Sequence, residues 1–143
     1  MAARPALIAA VALPLFLLAG CKGGEQPAGD SGTAAASAAQ GRISTLDAAT
    51  LAGKLKAGEV ELVDVRTPEE FAAGHIPGAV NMPLESFDPA ALPHVEGKQT
   101  VLYCHSGRRS GLAAEAVAAT GADAVHLQGG ISAWESAGEP VAK

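Results

Sequence analysis

Basic charge is scarce in this chain. Its 10 Lys and Arg residues face 15 Asp and Glu, for a net charge of -5, which leaves no positive field to hold a phosphate backbone. Aromatics are scarcer still, at 3 Phe, 1 Tyr and 1 Trp, so bases would find few faces on which to stack. Nucleic acid is therefore not an expected partner. Only 2 of the 143 residues are Cys, too few for a disulfide framework or a Cys-rich zinc site. A thiol here is an attachment point, a buried filler or an isolated reactive group, and its neighbours decide which. No apolar run is long enough to span a bilayer: Ala6 to Ala19, broken by Pro14, falls short of the roughly 20 residues required.

That short run instead predicts an address. Arg4 in a brief positive region, the apolar stretch and the small residues after it mark residues 1–20 as a signal peptide. Leu18-Ala19-Gly20-Cys21 resembles the lipobox of bacterial lipoproteins. The resemblance implies cleavage before Cys21, then acylation of its sulfur and of the new amino group. With about 0.8 kcal/mol per buried methylene, several acyl chains hold a protein firmly on a membrane. The expected location is the periplasmic side of a bacterial membrane, and Lys22 after the anchor favours the outer one. Residues 21–42 are rich in Ala, Gly and Ser and lack large apolar side chains after Cys21, so they cannot offset their ordering entropy. They are read as a tether.

The folded unit is expected over residues 43–143, where β-branched runs alternate with helical ones, the pattern of an α/β sheet with parallel strands and crossover helices. Asp47 to Ala57 predicts a helix closed by Gly58. Glu61 to Val65, Ala79 to Asn81, Thr100 to Tyr103 and Ala124 to His126 read as strands. Thr67-Pro68-Glu69-Glu70 predicts a capping box with Pro at the first helical position, and Ile76-Pro77-Gly78 a type II turn. Ser86 to Leu92 is expected as a short helix or loop, Ser110 to Thr120 as a helix, and Ile131 to Ala137 as a closing one.

The chemistry gathers in Cys104-His105-Ser106-Gly107-Arg108-Arg109-Ser110. This loop follows a buried strand and feeds a helix, which sets Cys104 at the carboxyl end of the sheet, where α/β proteins bind ligands. Consecutive backbone N–H groups in such a loop converge on an anion, and Gly107 permits the backbone angles they need. The same groups, with Arg108 and Arg109, lower a thiol's pKa. Positive charge is concentrated there, because all the acids but Glu25 and Asp30 share the folded unit with only Lys54, Lys56, Arg66, Lys98, Arg108, Arg109 and Lys143.

Several stretches together resemble a rhodanese domain: Leu62-Val63-Asp64-Val65-Arg66, Glu69-Glu70-Phe71, Gly74-His75-Ile76-Pro77-Gly78-Ala79, Asn81-Met82-Pro83, Cys104 with Gly107, Arg109 and Ser110, and Gly129-Gly130-Ile131 with Ala133-Trp134. The resemblance runs over nearly all of residues 43–143. It implies a five-stranded parallel sheet with helices on both faces, and a sulfurtransferase whose cysteine takes a sulfane sulfur from a small anionic donor such as thiosulfate and passes it to a thiol or cyanide. By position Cys104 is the persulfide carrier and the backbone of His105, Ser106, Gly107, Arg108 and Arg109 its cradle, with Arg108 or Arg109 attracting the donor. Four residues separate Cys104 from Arg109, as in the sulfur-transfer branch; related phosphatases and arsenate reductases usually carry five, which makes oxyanion chemistry the less favoured alternative. A non-catalytic binding module is the other.

The remaining candidates have plainer readings. His105, next to the nucleophile, is expected on the loop surface rather than as a base, and His75 in a structural hydrogen bond. Asp64 and Arg66 are expected to brace loops, and Trp134 to lid the core. His94 and His126 lack carboxylates or thiols at ligand spacing, so no metal is assigned, and the expected chemistry uses no cofactor.

Overall fold

The computed structural model describes residues 39–143; the signal peptide, Cys21 and nearly all of the tether lie outside the described residues. Five strands, β1 (Ile43–Leu46), β2 (Val60–Asp64), β3 (Val80–Asn81), β4 (Gln99–Tyr103) and β5 (Ala124–Leu127), form one sheet in the order β1-β5-β4-β2-β3. Every pairing is parallel. The helices are α1 (Ala48–Ala57), α2 (Pro68–Ala73), α3 (Arg108–Ala119) and α4 (Gly130–Ser136). A 3-10 turn, Pro89–Ala91, stands within the Ser86 to Leu92 stretch expected as a short helix or loop, and a second, Leu84–Ser86, begins before it.

The strands alternate their apolar residues between two cores, as pleating requires. Leu62, Val101, Tyr103, Val125 and Leu127 face α1 and α4, meeting Leu51, Ile131 and Trp134. Val63, Leu102, Cys104 and Ala124 face α3, meeting Ala113, Ala114 and Val117. Each large side chain so removed from water contributes about 1.5–3 kcal/mol. Adjacent strands β4 and β5 therefore send their following helices to opposite faces, and a crevice opens between those connections at the carboxyl end of the sheet.

Local signals fall where the residues place them. Asp47 caps α1 by accepting the Thr50 N–H at 2.8 Å, and Gly58 closes it in the left-handed region. At α2 the Glu70 N–H donates to Thr67 Oγ1 at 3.3 Å while the Thr67 N–H donates to Glu70 Oε2 at 3.1 Å, the reciprocal capping box. The Ala79 N–H donates to the Ile76 carbonyl at 3.1 Å with Gly78 at φ +84°, the type II turn. Two differences stand out. The edge strand β1 is largely exposed, so it carries no alternation to read. The domain is also tied two residues earlier than Ile43: the Arg42 N–H donates to Asp123 Oδ1 at 2.8 Å and the Gly41 N–H to the Ala118 carbonyl at 2.9 Å.

Candidate active site

Cys104 leaves the end of the central strand β4 and is 1% exposed. Three residues on, Gly107 adopts φ +94° as the residue before α3. A side chain there would be strained and would press on the Gly129 backbone nitrogen, 3.2 Å from where its Cβ would lie. This turn brings the Gly107 N–H onto Cys104 Sγ at 3.1 Å. The loop's carbonyls are engaged elsewhere: the Ile131 N–H of α4 donates to the Cys104 carbonyl at 2.8 Å and the Ser132 N–H to that of His105 at 3.1 Å. Gly130 lets α4 approach so closely, because any Cβ on it would collide with both carbonyls. With carbonyls tied to α4 and amides turned to the sulfur, the loop favours negative charge at one point.

The thiol responds accordingly. Burial pushes the Cys104 thiol up, but the amide and hydroxyl of Ser110 and the amides of Ser106 and Gly107 outweigh it, and its pKa lies below the ordinary value. Ser110 is fully buried. Sequence reading placed it at the end of the loop and in the family motif but gave it no role at the thiol, and its hydroxyl donates to the Gly107 carbonyl at 3.1 Å.

The other loop residues divide. His105 and Ser106 are exposed, and His105 Nε2 lies 3.3 Å from Ser132 Oγ. Helix α3 begins at Arg108, two residues before the expected start, because Gly107 in the left-handed region already delivers the chain into helical geometry. Both arginines thus sit in its first turn. Arg108 is exposed and joins no ion pair among the described residues. Arg109 instead grips Glu70 of α2 with two hydrogen bonds of 2.7 Å, the bidentate geometry only Arg provides. Its charge is matched by a carboxylate, which leaves Arg108 the unmatched cation.

Arg109 holds the Glu70 carboxyl well below its usual range, at about 2, with the Thr67 N–H adding to the effect against some desolvation. A carboxyl with a lowered folded-state pKa stabilises the fold above its unfolded value of 4.5 and loses that contribution as pH falls towards 2. The pair is about one third exposed, so solvent screening reduces the effect to about 1 kcal/mol. Glu70→Gln is expected to lower the unfolding free energy measured with urea at pH 7 by that amount and to leave a smaller gap from wild type at pH 3. An equal gap at both pH values would show that the carboxylate's charge is not responsible.

Behind the loop, Asp64 is fully buried and Arg66 is 5% exposed. Arg66 Nη2 donates to Asp64 Oδ2 at 2.6 Å and to the Gly74 carbonyl at 2.7 Å. Asn81 Nδ2 donates to the Asp64 and Arg66 carbonyls at 3.0 and 2.9 Å. His75 Nδ1 lies 3.0 Å from the Phe71 carbonyl and its ring stacks on Phe71. Trp134 is 1% exposed, its indole N–H donating to the Pro140 carbonyl at 2.8 Å. These residues brace the site and none meets the sulfur. Two clefts flank the loop, one of about 420 Å³ with Arg108, Leu112, Pro68 and Leu84 in its walls, the other of about 200 Å³ beside Arg66, Glu70, His105 and Glu135. A third, about 460 Å³, lies at the amino-terminal ends of β4 and β5, away from the thiol.

Comparison with known proteins agrees with this architecture. A family model described as "Rhodanese-like domain" matches residues 47–137. An uncharacterized protein of Synechocystis sp. is 48% identical over 85 residues, covering 59% of this chain and 48% of its own length. A sulfurtransferase of Allochromatium vinosum is 36% identical over 101 residues, covering 69% of this chain and 94% of that protein. The crystal structure of a rhodanese-related protein from Thermoplasma volcanium has a TM-score of 0.61 at 30% identity, covering 68% of this chain and 96% of that one. The chain spans about half the length, or less, of the first curated relatives it matches. The parallel sheet order, the cysteine at the end of its central strand and the family match over residues 47–137 carry one conclusion: this chain belongs to the rhodanese-like domain family.

Proposed function

We propose that this protein is a sulfurtransferase that carries sulfane sulfur on Cys104. The observation that supports it most directly is the Gly107 N–H on Cys104 Sγ at 3.1 Å, in a loop whose Ser106, Gly107 and Ser110 groups lower the thiol's pKa. In the first step the Cys104 thiolate attacks the sulfane sulfur of thiosulfate. A sulfur–sulfur bond forms to Sγ, the bond to the sulfonate sulfur breaks, and its electron pair leaves with sulfite. The negative charge then rests on the outer sulfur, one atom further into the amide cradle, where the same N–H groups stabilise it. In the second step an acceptor thiolate or cyanide attacks that outer sulfur, and the electron pair returns to Cys104 Sγ as thiolate. No net redox change falls on the protein.

Arg108 is the cation offered to an anionic donor, since Arg109 is matched by Glu70. With Cys21 acylated, Cys104 is the sole thiol of the mature chain, so the persulfide cannot resolve to an internal disulfide and its sulfur leaves to an outside acceptor. We place this chemistry on the periplasmic side of a bacterial membrane, held by lipid on Cys21.

Intact mass spectrometry tests both parts. Mature protein exposed to thiosulfate is expected to gain one sulfur atom, removable by cyanide, on the peptide that holds Cys104. The amino-terminal peptide is expected to begin at Cys21 bearing a diacylglyceryl group. No sulfur gain would remove the transfer reading, whereas an unmodified Cys21 would remove only the anchor. Sulfur-free protein that cleaves an aryl phosphate would favour oxyanion chemistry instead.

A further inference from the structure

The cleft of about 420 Å³ beside the Cys104 loop holds far more than thiosulfate or cyanide fills, and its size is that of sites for organic molecules. Val65, Pro68, Leu84 and Leu112 give it apolar walls. It adjoins the strand that carries the sulfur. The Val65 N–H donates to the Tyr103 carbonyl at 2.9 Å, one residue before Cys104, and Val65, Leu84 and Cys104 pack in one apolar cluster. Leu112 is the most exposed large apolar side chain among the described residues, at 46%, and follows Arg108 by one turn on the same face of α3. A single exposed leucine asks for no explanation. One that walls a cleft with three other apolar residues, next to a reactive thiol, offers an incoming molecule surface to bury.

Charge narrows the class of that molecule. Arg109 is matched by Glu70, which leaves Arg108 in the cleft wall with Glu69 and Glu85, all exposed and in no ion pair among the described residues. One cation against two carboxylates leaves a balance of one negative charge, which disfavours a second small dianion and admits an uncharged body. We propose that this cleft seats the sulfur acceptor, that the acceptor is an uncharged organic thiol with an apolar chain, and that Leu112 sets the preference for that chain. The proposal rests on the sulfur-carrier reading of Cys104 and adds the class of acceptor. The acceptor's sulfur bonds the outer sulfur, the bond from that sulfur to Cys104 Sγ breaks, and its electron pair returns to Sγ. The acceptor's proton leaves on the product, an organic persulfide. Each methylene fully buried in the cleft raises the rate by up to about fourfold, the factor for one methylene taken from water.

The full chain with Cys21→Ser keeps Cys104 as its sole thiol and has no acyl chain to compete for an apolar acceptor. After exposure to thiosulfate, intact mass spectrometry follows the loss of the added sulfur to mercaptopropanol or to mercaptohexanol, uncharged thiols of similar acidity. The second-order rate for mercaptohexanol, longer by three methylenes, is expected to exceed that for mercaptopropanol about tenfold, since the cleft is open and buries the chain in part. Leu112→Asn makes the wall polar without emptying it and is expected to reduce that ratio to about threefold or less. Val141→Asn, which changes a similarly exposed apolar side chain outside the cleft, is expected to keep the wild-type ratio. A ratio within one protein is the readout because damage to the Cys104 loop slows both thiols alike. A ratio near one without the Leu112 change, a ratio that persists in Leu112→Asn, or an equal fall in Val141→Asn would overturn the proposal and leave the sulfur-carrier reading in place. A chain that never gains the sulfur would overturn both.

Discussion

Cys104→Ser is expected to abolish thiosulfate-to-cyanide sulfur transfer, lowering the rate of thiocyanate formation by roughly a thousandfold or more, the order that follows loss of a covalent nucleophile. The exchange changes little else. Serine is close to cysteine in shape, and the Gly107 N–H that donates to Sγ at 3.1 Å finds an oxygen in its place. A hydroxyl, however, stays protonated under the same amides that favour a thiolate, and its oxygen is a poor nucleophile towards divalent sulfur. The melting temperature is expected to remain within a few degrees of wild type, which separates loss of chemistry from loss of fold. Wild-type rates of thiocyanate formation in the serine variant would dismiss Cys104 as the carrier. Wild-type protein without transfer, yet retaining a partner that Cys104→Ala also binds, would instead favour a binding module.

The largest loss of stability is expected from Arg66→Met. Asp64 is fully out of water, and its carboxylate is held by Arg66 through Nε at 2.9 Å, Nη2 at 2.6 Å and the Arg66 backbone N–H at 2.9 Å. Methionine fills much of the volume of the arginine stem but leaves a buried charge with the backbone N–H alone, a defect that costs about 3–5 kcal/mol. Against a typical total of about 5–15 kcal/mol, that is a large fraction. The same substitution removes the donor to the Gly74 carbonyl, loosening the exit of α2. Urea unfolding measures the loss. Pairing it with Asp64→Asn is expected to recover part of it, because a neutral amide is less costly to bury than an unpaired carboxylate. A loss of less than about 1 kcal/mol in Arg66→Met would mean that the carboxylate relaxes to water.

Much of the scaffold was legible because its signals are local. The capping box at Thr67 and Glu70, the Asp47 cap, the turn at Gly78 and the buried runs of β2 and β4 each rest on residues within a few positions of one another. The loop around Cys104 was legible for the same reason. Edge strand β1 was not, because three of its four residues are exposed and only pairing with β5 makes it a strand. Nor was the start of α3, which depends on the backbone angle of Gly107 rather than on a capping side chain.

The partners within the site escaped reading for a different reason. Glu70 was recognisable as a cap, but its grip on Arg109 joins residues 39 positions apart, and Ser110 meets His126 across 16. No periodicity encodes such pairs. Local chemistry alone determined the α/β alternation and the amide-rich loop that follows Cys104, since these follow from side-chain type and backbone freedom over a handful of residues. Only the folded sheet decided which arginine is left unmatched, which histidine meets the Ser110 hydroxyl and which helix fixes the loop's carbonyls. Those outcomes depend on strand order and on helices crossing to opposite faces, which bring distant residues within hydrogen-bond reach.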